Sequence, residues 1–364
     1  MLRYLGQLVG MSGKIIVGGL LIIFMIAFGG AILSLQNGHE ASTPAKYSYV
    51  HGNSESDNRL LKINVAGPIL GLPPQGIPGP LNFFTQGAGT YGYAVKNALQ
   101  RAAKDSSIEG VIIHMATPGG TIYGSMAIYD GIKAYREETG HPVLVYVEGM
   151  AASGGVMAMV GADAIYADGG SLIGSIGVIG GEFYYFDEPL AIGGGILGGG
   201  ITTGKGIEQT VIIAGKGKDF GNPYRRPTEG ELATWQASVD ALYAQFVTHV
   251  AGARGISETT IVDEMGAQVF GNGQALAFGL IDGTRNWDAA ITELAKLAGI
   301  ENDYQLVRRR GPEQSAFERL FMMMAPESAG QVTASDILKA NLCSAARLQA
   351  LVYFGSPADL CPQG

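Results

Sequence analysis

The residue in this chain best placed to do chemistry is Ser153, which sits in the run Gly149-Met150-Ala151-Ala152-Ser153-Gly154-Gly155. The run follows the apolar stretch Val143 to Val147 and precedes a small-residue segment that reads as a helix. A lone serine among glycines and alanines, at the end of a buried strand, is cheap to expose and easy for a substrate backbone to approach, which suits a nucleophile. Two other readings fit the same seven residues. Ser153 could cap the following helix through its hydroxyl, or the small residues could serve only to let helix and sheet pack closely.

A serine hydroxyl needs a partner to take its proton. The five histidines are at 39, 51, 114, 141 and 249. His39 and His51 lie in a polar stretch, and His249 lies in a long helix. His114 alternates along a buried strand as a wall residue, and His141 precedes the strand whose far end carries Ser153, about 15 Å or more away. No histidine falls between 142 and 248, and there is no GxSxG elbow, so a Ser-His-Asp arrangement is poorly supported. Lysine is the other activator, and downstream of Ser153 the candidates are Lys205, Lys216 and Lys218. To serve as a base near neutral pH a lysine must lose about 3 pKa units, or about 4 kcal/mol of differential solvation. An apolar, glycine-lined groove could supply that. Asp219, next to Lys218, need not oppose it, because neighbours on an extended chain point to opposite sides. The competing reading makes these lysines ordinary solvated loop charges.

The elements around these residues form a repeated alternation. Leu60 to Val65 reads as a strand, Tyr93 to Ala103 as an amphipathic helix, Val111 to Met115 as a strand, Thr117 to Gly120 as a turn, Ser125 to Arg136 as a helix and Val143 to Val147 as a third strand. Near-continuous apolar strands alternating with helices imply a parallel sheet covered on both faces, with sites at the carboxyl ends of its strands. Gly119, Gly120 and Ser153 all fall there. Farther on, Ala164 to Ala167 and Val211 to Ala214 read as strands. Thr228 to Ala251 reads as one helix, opened by a Thr228/Glu231 capping box and buried along Leu232, Trp235, Val239, Leu242, Phe246 and Val250. A strand at Gln268 to Phe270 and helices at Gly273 to Phe278 and Trp287 to Leu297 complete the body.

In their order along the chain, TPGG at 117 to 120, AASGG at 151 to 155, ADAIYA at 162 to 167, GSIGVI at 174 to 179, GKGKDFGNPYRRPTEGE at 215 to 231 and VFGNGQALAFGLID at 269 to 282 resemble the signal peptide peptidase A family. These are Ser-Lys peptidases with a ClpP/crotonase-like fold. The resemblance covers about residues 58 to 300. It implies an α/β fold, a repeated β-β-α superhelix with a parallel sheet, and a serine endopeptidase. It matches Ser153 to the nucleophile and Lys218 to the general base, with Lys216 the runner-up. Gly119 or Gly120, with the Gly154 amide, would form the oxyanion hole, and Ser175 would orient the lysine. No cofactor or metal is implied. The partners would be peptide substrates such as signal peptides and apolar segments, and copies of the chain in a homo-oligomeric ring whose subunits share the active-site groove. Thr117 stands where the family usually has serine, and the glycine-rich stretch at 193 to 204 lengthens the gap from serine to lysine.

Outside this body, residues 1 to 14 form a basic amino terminus that would stay in the cytoplasm, and Ile15 to Leu35 runs without a charge. About 20 apolar residues suffice to cross a bilayer core of about 30 Å, so one transmembrane anchor is expected. A polar linker at 36 to 57 would join it to a peptidase domain on the extracytoplasmic (periplasmic) side of the inner membrane. A substrate strand would add to backbone near Gly170 to Gly174. The tail, 301 to 364, carries Cys343 and Cys361, which could pair outside the cytoplasm, and could itself pack between subunits. With a net charge of −8 the chain has no basic footprint for nucleic acid. A crotonase-like acyl-CoA enzyme and a catalytically inactive membrane scaffold of the same fold are the alternatives; an extracytoplasmic body argues against the first, because CoA is cytoplasmic.

Overall fold

A computed structural model of the chain describes residues 46–72, 89–181, 183, 185–187, 191–192, 201–202, 204, 206–310 and 351–354. The expected anchor at 15 to 35, Lys205 and both cysteines lie outside the described residues. Among the described residues no helix is long and apolar enough to cross a membrane.

In chain order the elements are β1 (Tyr47–Gly52), β2 (Arg59–Ala66), β3 (Ile69–Leu70), β4 (Thr90–Tyr91), α1 (Gly92–Ala103), β5 (Ile108–Thr117), β6 (Gly119–Thr121), α2 (Ile122–Thr139), β7 (Val143–Ala152), α3 (Gly154–Met159), β8 (Ala164–Ala167) and β9 (Leu172–Gly174). There follow β10 (Ala191–Ile192), β11 (Ile201–Thr202), α4 (Glu229–Arg254), a π-helical turn at Thr260–Met265, β12 (Val269–Gly271), α5 (Asn272–Ala277), β13 (Gly283–Thr284), α6 (Trp287–Leu297), β14 (Gln305–Arg309) and β15 (Leu351–Tyr353).

The central sheet runs β1-β14-β2-β5-β7-β8-β13, and only its β1/β14 pair is antiparallel along that path. Its middle strands alternate between two apolar layers. Leu61, Val65, Val111, Ile113, Val145 and Val147 enter one core cluster with α1 to α4, whereas Leu60, Ile112, Leu144 and Tyr146 enter another with Ile291 and Leu294 of α6. Both faces are covered, so these strands read as continuous apolar runs, as a parallel sheet requires.

Four sequence readings need correction. Tyr47–Gly52, placed in the linker, is strand β1, and Gln305–Arg309, placed in the tail, is β14. The two pair with each other, and β14 also pairs with β2. Only a partner distant in sequence makes these polar segments strands. Val211 to Ala214 is not a strand, and Ile212 is 97% exposed. The capping box of α4 is present, but the expected buried stripe is not: Leu232 is exposed, and only Phe246, Val247 and Val250, toward the carboxyl end, are buried. The first half of that helix lies beyond the core that would cover it.

Two histidines report on the packing. His114, on the α6 face of β5, bonds Glu148 and stacks near Trp287 at 5.0 Å. His249 of α4 bonds the Met157 carbonyl at 2.9 Å; a carbonyl can only accept, so Nε2 carries the proton. Burial lowers both pKa values from the ordinary 6.5, helped at His114 by nearby Lys62 and opposed by Glu148. A folded pKa below the unfolded one means that the unfolded chain binds more protons once pH falls under 6.5. This part of the stability is therefore complete above 6.5 and lost as pH drops below it. The urea midpoint is expected to fall between about pH 7 and pH 5.5, with a shallower fall in His249→Gln; an unchanged wild-type midpoint over that interval would contradict this account.

Candidate active site

Ser153 occupies a sharp strand-to-helix corner between β7 and α3, with φ 54° and ψ −110°. Its N–H donates to the Gly174 carbonyl at 2.8 Å, and its Oγ lies 3.5 Å from the Gly177 carbonyl. Although it stands at the cap position of α3, its side chain makes no capping bond. The helix-cap reading therefore fails. The packing reading holds for Gly155 instead, because a Cβ there would come within 2.8 Å of the Thr117 methyl.

Among the described residues, three besides glycine have positive φ: Ser153, Ser175 (55°) and Ala267 (59°). They converge. Ser153 bonds Gly174, Ser175 follows Gly174 and donates its N–H to the Gln268 carbonyl at 2.6 Å, and Ala267 precedes Gln268. Gly174 is itself obligatory, because φ is +139° and a Cβ would overlap the Gln268 carbonyl. Such conformations cost about 1–3 kcal/mol each and persist only where surrounding structure over-determines them, which happens most often at functional sites. Ser175 is buried, and its hydroxyl makes no hydrogen bond among the described residues. Of these residues, Gln268 and Ala267 were not legible as site-builders from sequence.

The glycine segment reaches the serine through β5. Thr117 pairs in register with Ala151, two residues before Ser153. The expected turn at 117 to 120 is partly strand, with Gly119–Thr121 forming β6. Thr117 is fully buried; its Oγ1 donates to the Gly67 carbonyl at 2.7 Å and accepts the Gly119 N–H at 3.0 Å. The Gly119 amide is thus committed to Thr117 and is not free for an oxyanion in this conformation. Gly120 lies between neighbouring strands, and a Cβ there would overlap the Ile69 backbone. Gly154 opens α3, where first-turn N–H groups have no partner within the helix.

No hydrogen bond joins Lys216 or Lys218 to the serine among the described residues. Lys216 and Lys218 lie in turns rather than on a strand, both exposed, and neither bonds Ser153 or Ser175 among the described residues. What fixes this turn is an ion network that the sequence reading missed. Arg225 donates to Asp219 at 2.6 and 2.8 Å and to Glu231 at 2.7 and 2.9 Å. Glu231 also accepts the Thr228 N–H in the capping box, at 2.8 Å. Arg225 holds the Asp219 carboxyl below the usual range and, with the Thr228 contacts, pushes Glu231 down to about 2. Asp219 is thereby bound to Arg225, which is a better reason that it need not neutralise Lys218 than the alternation expected from a strand. Phe220 packs toward Trp235, whose Nε1 donates to the Gly180 carbonyl at 2.5 Å. The Lys218 turn is therefore built onto the first half of α4. The edge expected at Gly170 to Gly174 is also filled, with β9 carrying β7 on one side and β12 on the other.

Comparison with known proteins gives the family. A model of Peptidase family S49 matches residues 135–194 and 195–301. The protease candidate slr0021 of Synechocystis sp. is 30% identical over 228 residues, covering 59% of this chain and 76% of that protein. The chain belongs to peptidase family S49. This S49 chain is also 31% identical over 219 residues to the protease candidate MJ0651 of Methanocaldococcus jannaschii, covering 59% of this chain and 66% of that one. To a candidate signal peptide peptidase SppA of Enterococcus faecium it is 27% identical over 244 residues, covering 66% of this chain and 64% of the relative. The matched stretch thus falls just short of two thirds of both of these relatives. The matched residues contain Ser153, Gly154, Ser175 and Lys218, whereas Gly119 and Gly120 precede the stretch matched by the family model.

The strain at Ser153 gives a direct test in this S49 chain. Glycine tolerates φ 54° and alanine does not, so Ser153→Gly should exceed Ser153→Ala in stability by about 1 kcal/mol. Denaturant midpoints of the two variants measure this, and equal midpoints would mean that the corner is relaxed.

Proposed function

We propose that this chain is a membrane-anchored serine endopeptidase of ClpP/crotonase-like fold, with Ser153 as nucleophile and Lys218 as general base. The observation that carries the reading is the strained, over-determined corner that presents Ser153 at the start of α3. In the reaction, the Lys218 amine accepts the Ser153 proton while Oγ attacks the scissile carbonyl. The resulting oxyanion is met by the Gly154 amide and by a second donor from Gly119 or Gly120. The Gly119 amide would have to leave Thr117 for this; each such donor is often worth about 3 to 4 kcal/mol. Collapse breaks the C–N bond as protonated Lys218 gives its proton to the leaving nitrogen, and the neutral lysine then takes a proton from the water that attacks the acyl group and releases it from Ser153.

The base is proposed to arrive from a second copy. Within one chain Lys218 is exposed and, among the described residues, makes no bond to Ser153, and the flanking apolar residues Val211, Ile212, Ile213 and Leu232 are exposed as well. Burying that surface in a ring of subunits would bring the amine out of water, the condition under which a lysine becomes a usable base. The uncharged Ile15 to Leu35 supports an anchor with the body outside the cytoplasm. The likeness to a candidate signal peptide peptidase supports remnant signal peptides, or other apolar membrane-associated peptides, as substrates. Lys218's exposure also suits a catalytically inactive scaffold, and labelling by a fluorophosphonate separates the two: Ser153 reacts in a peptidase and stays unmodified in a scaffold.

Ser153→Ala and Lys218→Ala should each reduce hydrolysis of an apolar peptide by about 10³-fold or more without loss of fold. Mixed and reassembled together, the two variants should recover activity if the base comes from a neighbour, because some sites then pair an intact serine with an intact lysine. Full activity in either variant alone would sink the assignment, and no recovery in the mixture would place the lysine in its own subunit.

A further inference from the structure

The carboxyl end of β14 gathers cations. Arg308, Arg309 and Arg310 are consecutive and exposed, and with Arg101 of α1 they line a concave groove of about 580 Å³. β5 separates β2, which also lines the groove, from the serine-bearing β7. Apolar residues share the lining, Ile63 of β2 and Ala98 of α1, together with Tyr47 and Tyr49 of β1. No carboxylate among the described residues lines it. Beside it, Asp105 already accepts from the Tyr47 hydroxyl at 2.6 Å and from the Ser107 hydroxyl at 2.8 Å. Among the described residues these four arginines form no ion pair; the arginines that do are Arg59, Arg136, Arg225 and Arg254. In a chain of net charge −8 this is a local reversal of sign. It also strains the sheet, because Arg308 stands opposite Lys62 across the β14/β2 ladder, and like charges directly opposite are destabilising. Lys62 turns its ammonium over the Trp287 ring at 4.4 Å, and the Arg308 Nε donates to the Ser48 hydroxyl at 3.1 Å. Departures from local rules of this kind concentrate at functional sites.

We infer that this groove binds the phosphodiester headgroup of an anionic phospholipid and so holds the β1/β14 edge of the body against the bilayer. It takes the membrane anchor from the proposed function and nothing from the catalytic assignment. Guanidinium groups bind phosphate oxygens through paired N–H donors, and four of them around one concave surface supply that chemistry. The apolar lining suits the glycerol backbone and the first methylenes of an acyl chain, which a soluble phosphate lacks. Tyrosine, with an apolar ring and a polar tip, is enriched where membrane meets water. Position favours the same ligand. Tyr47 lines the groove, and only the eleven residues 36 to 46 separate it from Leu35, the end of the uncharged run. Eleven residues reach at most about 40 Å, so the anchor keeps Tyr47 within that distance of its own end. Attraction between basic side chains and anionic lipid acts over a Debye length of about 8 Å. The span therefore confines the body near the surface, and the groove decides which side of it meets the headgroups.

The test titrates the full chain, in neutral detergent, with dihexanoyl phosphatidylglycerol and reads binding by calorimetry. One site is expected, weakened about tenfold or more in the double variant Arg101→Gln/Arg309→Gln, and dihexanoyl phosphatidylcholine should not fill it. Raising NaCl from about 50 to about 500 mM should weaken the wild type more than the variant, which has fewer charges to screen. Equal affinity of wild type and variant for phosphatidylglycerol overturns the inference. Inorganic phosphate or glycerol phosphate binding as tightly as the lipid also overturns it, since the groove would then serve a soluble phosphate. A hexaglutamate peptide binding more tightly than the lipid overturns it in favour of an acidic protein partner. If the double variant loses its circular dichroism signal, Arg101→Gln/Arg310→Gln, with its second change beyond the end of β14, decides the outcome. Flotation with phosphatidylcholine vesicles reads the anchor and fluorophosphonate labelling reads Ser153, so failure of either is seen separately from failure of the groove.

Discussion

The structure of this chain depends on holding one serine in a backbone conformation that an L-residue avoids. Ser153 sits at φ 54° because three things close on it: the β7 register, the Gly174 carbonyl that accepts its N–H, and the small residues that open α3. The neighbouring layer is strained as well, since Ser175 and Ala267 share positive φ and Ser175 is fixed through the Gln268 carbonyl. A corner of this kind is stable only because its elements are tied to a well-packed sheet. The parallel strands, the two apolar layers and the β9/β12 pairing together act as its support.

Charge is arranged differently. Ser153 is buried in a largely apolar setting, while the conspicuous ion network lies around Arg225, where Asp219 and Glu231 share one guanidinium at the start of α4. Planar bidentate pairing fixes geometry as well as charge. It leaves Lys218 next to an acid that is already engaged, on a turn that projects with a half-covered helix. A buried serine and an exposed amine are the two groups that the proposed assembly of copies would join.

The edges of the sheets follow the same economy. β9 is paired on both sides, and β6 is closed by β3 and β15, so unpaired backbone near the serine is largely covered, as sheet edges generally are in native proteins.

Sequence alone was enough to place Ser153 at a strand end, to put Gly119 and Gly120 at the neighbouring strand end, and to mark the Thr228 capping box, because each rests on local periodicity or on a short-range hydrogen bond. The resemblance that names the family was legible for the same reason, in short motifs in fixed order. Tertiary structure decided whatever depended on a distant partner. Tyr47–Gly52 and Gln305–Arg309 are polar segments that become strands only by pairing across the length of the chain, and Val211 to Ala214 is apolar yet pairs with no strand among the described residues. Whether Thr117 would take the Gly119 amide, whether Arg225 would claim Asp219, and whether the tail would lie along β6 are questions of which groups meet in space. Periodicity carries no information about such meetings, since side-chain reach and strand register are fixed only when the sheet is assembled.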